Sequence, residues 1–338
     1  MRLKDVNSGL TGDTALTRRS VMTGIASLPL LRSASAQTMW PERAVKIIIP
    51  LGAGSGADIG ARLIAERLQQ VWGKPVVIEN RPGGNGLTAI NGFLQANDNH
   101  TLFYGAAATF TVHPYQMETV PYNFTRDIVP VAQATVTIAV VAVPASSPVK
   151  TMPEFVKWAR DNPGKLNAAL VPGISEITFD RFVKAEKLEI TKVPYRNIVE
   201  AVADASVGRI QFLSTAYAIV QPAVEGGTVR VIAVTNSQRF PGLADISTCD
   251  EQGVPSMSYE GLAGLFATRL LSPELRARIG EDVVRAANEP AIKKRIEATG
   301  QMVLPGGAAF FQKSIEGQME EIRRTAEFIG LKAGKVAL

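Results

Sequence analysis

Val45-Lys46-Ile47-Ile48-Ile49-Pro50-Leu51-Gly52-Ala53-Gly54-Ser55-Gly56-Ala57-Asp58 sets an apolar, β-branched run of strand length directly before a glycine-rich loop. Ile59, Leu63, Ile64, Leu68 and Val71 then recur at helical spacing, so the stretch predicts strand, loop and helix. The first amides of a helix have no internal partner, the helix dipole adds positive potential, and glycines let a ligand approach the main chain. Such a loop is ready for an anion. A near copy follows at once: Val76-Val77-Ile78 reads as a strand, Arg81-Pro82-Gly83-Gly84-Asn85-Gly86 as a loop, and residues 87–96 as a helix. Two such loops in tandem point to a negatively charged ligand, either a small carboxylate or a nucleotide phosphate.

Thr101-Leu102-Phe103-Tyr104 continues the alternation as a third strand, and Gly105-Ala106-Ala107-Ala108-Thr109 is another small-residue loop after it. Strands alternating with helices predict an α/β fold of mainly parallel sheets, with ligands beyond the strands' carboxyl ends. Residues 131–143 are nearly unbroken Val, Ala and Ile, one or two buried strands, and Pro144-Ala145-Ser146-Ser147-Pro148 reads as a crossing point. A second α/β unit starts there. Thr151-Met152-Pro153-Glu154 combines an N-cap, a proline in the first turn and an acid at the third position. A strand at 166–171 leads into Pro172-Gly173-Ile174-Ser175 and a helix through Phe179 and Phe182. Further on, a helix at 198–205, strands at 210–213, 229–234 and 262–267, and helices at 273–287, 291–298 and 307–328 complete the pattern. The expected divisions are 40–143, 144–257 and 258–338, the last returning to the first unit.

Residues 1–36 read as an export signal. Arg18-Arg19 precedes a short apolar segment at 21–31, and Ala34-Ser35-Ala36 supplies a cleavage signal before Gln37. Gly24 and Arg32 favour the twin-arginine route. The apolar run falls well short of the roughly 20 residues that a membrane span needs. This segment carries +3 of the chain's net charge of +5, which leaves +2 and gives no sign of a nucleic-acid partner. A single cysteine, Cys249, excludes an internal disulfide and a cysteine metal cluster.

Few catalytic constellations can be assembled. His100 and His113 stand outside any metal-binding spacing and read as ordinary polar residues in loops, and no G-x-S-x-G elbow occurs. One motif points the other way. Gly52-x-Gly54-x-x-Ala57 matches the dinucleotide fingerprint, and Glu79 ends the next strand where a ribose partner belongs. An exported NAD(P)-binding oxidoreductase is therefore the alternative reading. Against it stand the second glycine loop and the want of a proton donor. Asp58 either stabilises its helix start, organises the first loop, or meets a ligand ammonium; Arg62 and Arg81 read as salt-bridge partners.

Trp40-Pro41-Glu42-Arg43, Ile48-Ile49-Pro50, Gly54-Ser55-Gly56-Ala57-Asp58 and Gly73-Lys74-Pro75-Val76-Val77-Ile78-Glu79-Asn80-Arg81-Pro82-Gly83 resemble the Bug family, the extracytoplasmic solute receptors of tripartite tricarboxylate transporters. The likeness continues through Asn162-Pro163-Gly164-Lys165-Leu166, Val193-Pro194-Tyr195 and Glu251-Gln252-Gly253-Val254-Pro255. It implies a two-lobed periplasmic-binding-protein fold, each lobe a mainly parallel sheet flanked by helices, closing on a small organic acid. It also implies a monomer that serves a membrane permease or a sensor, without cofactor, metal or reaction. Carried onto this chain, the ligand loops are Gly54, Ser55, Gly56, Ala57 and Asp58; Gly84, Asn85 and Gly86; and Ala107, Ala108 and Thr109. The facing lobe supplies Gly173, Ile174, Ser175 and Thr215. The chain departs from the family's pattern at Ala53-Gly54-Ser55, Tyr122-Asn123-Phe124 and Glu176. An acid at 176, if it faces the cleft, disfavours a tricarboxylate.

Overall fold

The computed structural model describes residues 40–195 and 197–336, so the expected export signal at 1–36 lies outside it. The opening stretch forms β1 (Val45–Ile49) and α1 (Gly56–Trp72), capped by Ser55 and closed by Gly73 at φ 64°. Then come β2 (Val76–Asn80), a short turn of helix at Gly84–Gly86, α2 (Leu87–Ala96) and β3 (Thr101–Ala106). Short elements follow: α3 (Ala108–Thr111), α4 (His113–Gln116), β4 (Thr119–Val120) and α5 (Phe124–Asp127). The long apolar run becomes two strands, β5 (Ile128–Thr137) and β6 (Ala139–Pro144). The next portion holds α6 (Met152–Asp161), β7 (Asn167–Leu170), α7 (Ile174–Glu186), β8 (Thr191–Pro194), α8 (Ile198–Ser206), β9 (Phe212–Ala216), α9 (Tyr217–Glu225) and β10 (Val229–Val234). The chain ends with β11 (Gly261–Thr268), α10 (Pro273–Asn288), α11 (Pro290–Glu297), β12 (Gln301–Gly307), α12 (Ala308–Ile329) and β13 (Lys335–Val336).

Two sheets carry the molecule, ordered β12-β5-β11-β3-β1-β2 and β10-β6-β9-β7-β8. The inner strands are buried on two faces, which is why β5 and β6 read as nearly unbroken apolar runs, whereas the edge strands β2 and β8 stay partly exposed. In the first, Ile47 and Ile49 meet α1, α10 and α11, while Ile48 and Phe103 meet α2, α3 and α12. In the second, Phe212 packs on Phe155, Phe179 and Phe182 of α6 and α7, and Val140 and Ala142 face α8 and α9. The expectation of mainly parallel sheets holds for β2-β1-β3 and β8-β7-β9. The strands next to the crossings pair antiparallel, because the chain runs straight through from one sheet into the other and must return.

The passage between sheets falls at Ile138, not at Pro144–Pro148: β5 pairs in the first sheet and β6, wholly, in the second. Residues 139–143 thus sit with the second lobe. The return passage runs from Tyr259, whose N–H donates to Thr235 O at 3.0 Å, into β11. Asn236, fully buried, ties the two passages together. Its side chain accepts from Ala139 N–H at 3.0 Å and donates to Thr137 O at 3.1 Å, so it straddles Ile138, and it also donates to Glu260 Oε2 at 3.0 Å.

Candidate ligand-binding cleft

The carboxyl ends of β1 and β2 lie side by side, with Ile49 opposite Asn80, so the first two loops leave one sheet edge. Asp58 holds the first loop from beneath. Its Oδ2 accepts from Gly54 N–H at 2.9 Å and Arg62 Nε at 3.0 Å, and its Oδ1 from Asn80 Nδ2 at 2.8 Å. Burial pushes this carboxyl up, but Arg62, Asn80 and Gly54 together hold it below the ordinary aspartate value. Asn80 completes the brace by donating to Leu51 O at 3.0 Å and accepting from Arg62 at 2.8 Å. Asp58 therefore organises the loop, and both its oxygens are occupied. Arg81 pairs with Glu79 and lies over Gly92, where a Cβ would meet the guanidinium at 1.8 Å. Glu79 also holds Lys46 at 2.9 Å, so the acid that a dinucleotide ribose would require is already engaged.

Ser55 caps α1, its Oγ accepting from Asp58 N–H at 3.3 Å, and keeps its own proton to donate. The amides of Gly56 and Ala57, the first two of α1, have no partner among the described residues. Behind them runs a buried polar chain: Tyr104 OH to Thr135 at 3.3 Å, Thr135 Oγ1 to Gln301 Oε1 at 2.7 Å, and Gln301 Nε2 to Gly56 O.

The second loop is a glycine turn, with Gly84 and Gly86 at φ 57° and 92° and Asn85 at 53°. A Cβ on Gly86 would lie 2.6 Å from Thr109 Cγ2, so the second and third loops meet there. Both histidines are buried; His100 lies in the loop before β3, whereas His113 opens α4 and is not a loop residue. His113 Nε2 donates to Asn85 O at 2.9 Å, since a carbonyl only accepts, and Nδ1 accepts a hydrogen bond from the Tyr122 hydroxyl at 2.7 Å. Burial pulls the His113 pKa below its ordinary value, with Asn85 O pulling the other way. Asn85 Nδ2 in turn donates to Gln116 Oε1 at 2.9 Å, and Gln116 Nε2 reaches Gly173 O of the facing lobe at 3.4 Å.

On that lobe α7 opens at Gly173, without a capping side chain, and the amides of Ile174, Ser175 and Glu176 lack partners among the described residues. α9 opens likewise at Ala216, and the amides of Ala218 and Ile219 have no partner among the described residues; a Cβ on Gly300 would sit 3.0 Å from Ala218 N. Since Thr299 O abuts Gly56, the starts of α1 and α9 flank one turn of chain. The third loop is drawn inward. Ala107 is fully buried with its N–H on Leu262 O at 2.8 Å, and Ala108 packs with Val112, Ile177 and Ile322. Thr109 stays half-buried, and Thr215 is buried in β9 opposite Val140. Glu176 shares a helix face with Asp180, which Lys192 holds at 2.8 Å; burial raises the Glu176 pKa, against the pull of Lys192.

Sequence reasoning reached the glycine loops and missed their supports. Gln116, His113, Asn236 and the Thr299-Gly300-Gln301 turn carry no motif, and only the fold brings them to the loops. Asn80 was within reach, inside the quoted Glu79-Asn80-Arg81-Pro82-Gly83 segment. Among the described residues no trio of His, Cys, Asp and Glu stands ready for a metal ion.

The chain matches a family model described as a tripartite tricarboxylate transporter family receptor over residues 60–331. It is 29% identical over 297 residues to a UPF0065 protein from the tcbD-tcbE intergenic region of Pseudomonas sp. strain P51, covering 86% of this chain and 88% of that one. It is 24% identical to Protein BugT of Bordetella pertussis, covering 84% and 89%. Among solved structures, one described as a periplasmic transporter superposes with a TM-score of 0.76 at 26% identity, covering 87% of this chain and 99% of that chain. R. palustris Rpa4515 with adipate gives 0.75 at 25% identity, with the same coverage.

Proposed function

This chain belongs to the tripartite tricarboxylate transporter receptor family, as a Bug-type member, and on that premise we propose that it closes two lobes on a small carboxylate in the periplasm. The observation that carries the reading is the set of unpartnered amides at the starts of α1, α7 and α9, which come from both lobes. Among the described residues they supply donors and positive potential without help from Arg62 or Arg81, which are committed to Asp58 and Glu79. Each charge-assisted hydrogen bond contributes about 1.5–3 kcal/mol, and micromolar affinity needs about 8 kcal/mol net. A few such amides reach that after the cost of closure. Donors on both lobes suit a dicarboxylate, one acid group to each, and adipate is the first compound to try because a relative holds it. Residues 1–36 act as the export signal, cut after Ala36, and the mature monomer catalyses no reaction.

Native mass spectrometry of the protein from Gln37 onward, purified without added ligand, tests this reading. A small acid released on denaturation is the expected result, followed by calorimetric titration with that acid and with adipate. A bound dinucleotide would overturn it.

A further inference from the structure

The outer face of the first lobe holds a groove of about 1060 Å³ between α10 and the start of α12. Val129, Val284 and Ala308 contribute its apolar lining, and Phe310 stands at its wall, 49% exposed. The Phe310 ring is seated: a Cβ on Gly306 would lie 2.0 Å from its Cδ1, so only a glycine there lets the ring lie down. Ala277, Glu281 and Val284 turn towards the groove at helical spacing, and Arg276 and Arg285 flank it, roughly 13–14 Å apart along α10. Arg269 adds a third cation, donating to the carbonyls of Thr125 at 2.7 Å and Arg126 at 2.6 Å.

Charge sets this surface apart. Most arginines of the described chain, such as Arg43, Arg62, Arg160 and Arg239, face a carboxylate within ion-pair distance. Arg269, Arg276 and Arg285 form no ion pair among the described residues, and Glu281 is the lone acid lining the groove. A half-exposed aromatic beside arginines that face no carboxylate is the composition of an interface core, where aromatic and Arg side chains are enriched. Every lining residue belongs to elements of the first sheet's lobe, so lobe closure leaves the groove intact.

We propose that this groove docks an acidic extramembrane segment of the membrane protein that the receptor serves. Two carboxylates meet Arg276 and Arg285, and an apolar side chain lies on Phe310. The inference rests on the receptor reading above.

The test places a photocrosslinking residue at Ala309 of the full chain in its own host, with the adduct identified by peptide mass spectrometry. The expected adduct is an integral membrane protein, joined through a segment bearing Asp or Glu. Its yield should fall about tenfold in Arg276→Glu/Arg285→Glu, as removal of rim charge slows encounter, and persist in Arg276→Lys/Arg285→Lys. Thermal melting of each variant, unchanged, keeps misfolding out of the comparison. An adduct indifferent to charge reversal, an adduct with a second copy of this chain, or no adduct would overturn the proposal. So would charge-dependent binding to phosphatidylglycerol vesicles with no protein adduct. Native mass spectrometry on the same preparation separates the two ideas: a protein that carries a dinucleotide and still forms the membrane-protein adduct sinks the receptor reading and leaves the groove standing.

Discussion

Asp58 sits 2% exposed in a ring of donors, and its value to the molecule is geometric. A buried carboxylate is tolerated only when its lone pairs are answered, and Gly54, Arg62 and Asn80 answer them while fixing the shape of the first loop. Asp58→Asn keeps the size and loses the charge. At pH 7 it should cost about 2–3 kcal/mol in urea denaturation and weaken ligand binding through the loop. The sign with pH follows from the depressed pKa. The charged group's contribution is complete above the ordinary value of 3.8 and is lost as pH falls through the lower folded value, so the wild-type and variant stabilities should converge below about pH 4. Stability curves that stay parallel from pH 7 to pH 3 would show that the carboxylate does not hold the loop. The sequence singled out Asp58 and left three roles open. Asn80 stood in the quoted segment, but only the pairing of β1 with β2 shows it as the partner of Asp58.

The loops as elements depend on close approach more than on side-chain chemistry. Gly86 is held at φ 92° with Thr109 against it, so Gly86→Ala meets both a left-handed backbone and a methyl at 2.6 Å. About 2–4 kcal/mol of stability should go, with affinity falling alongside. Thr109→Ser in that background removes the offending methyl, so thermal melting should recover in part and not wholly. No recovery would place the damage elsewhere. Elements of this kind were legible: periodicity and caps found β1, α2, α6 and β10 almost to the residue. β12 escaped because Leu304-Pro305-Gly306-Gly307 breaks any strand pattern, and its pairing with β5 indeed slips between Val303 and Gly306. α9 escaped because Pro222 lies inside it. The crossing was misplaced to Pro144 because the buried run is nearly unbroken and nothing local marks Ile138 as the residue where the sheets part.

At the scale of the whole molecule, the two lobes meet on one flank through α7 and α12. Ile177 of α7 packs with Ala108, Val112 and Ile322. Beyond them Arg181 bonds Glu321 at 2.9 Å and Thr325 at 3.2 Å, and Lys184 reaches Phe328 O at 2.6 Å. The ion pair is half in water and adds little, whereas the apolar contact removes area from solvent only when the lobes are together. The lobe strands themselves are tied through Asn236 at the crossing, so the proposed opening would part this flank and leave the crossing whole. A ligand that binds between the lobes favours the same arrangement as Ile322 does, and the two are thermodynamically coupled. Ile322→Ala should therefore loosen the closed arrangement without touching the ligand. A loss of about 1.4 kcal/mol from closure raises the ligand dissociation constant roughly threefold where the closed state passes from the major to the minor form, and about tenfold at most. Small-angle scattering should show a larger radius of gyration for the free variant and convergence with the wild type once adipate or the native acid saturates it. Calorimetry and scattering that match the wild type throughout would mean that this flank plays no part in closure, and would leave the helix starts alone to draw the lobes together.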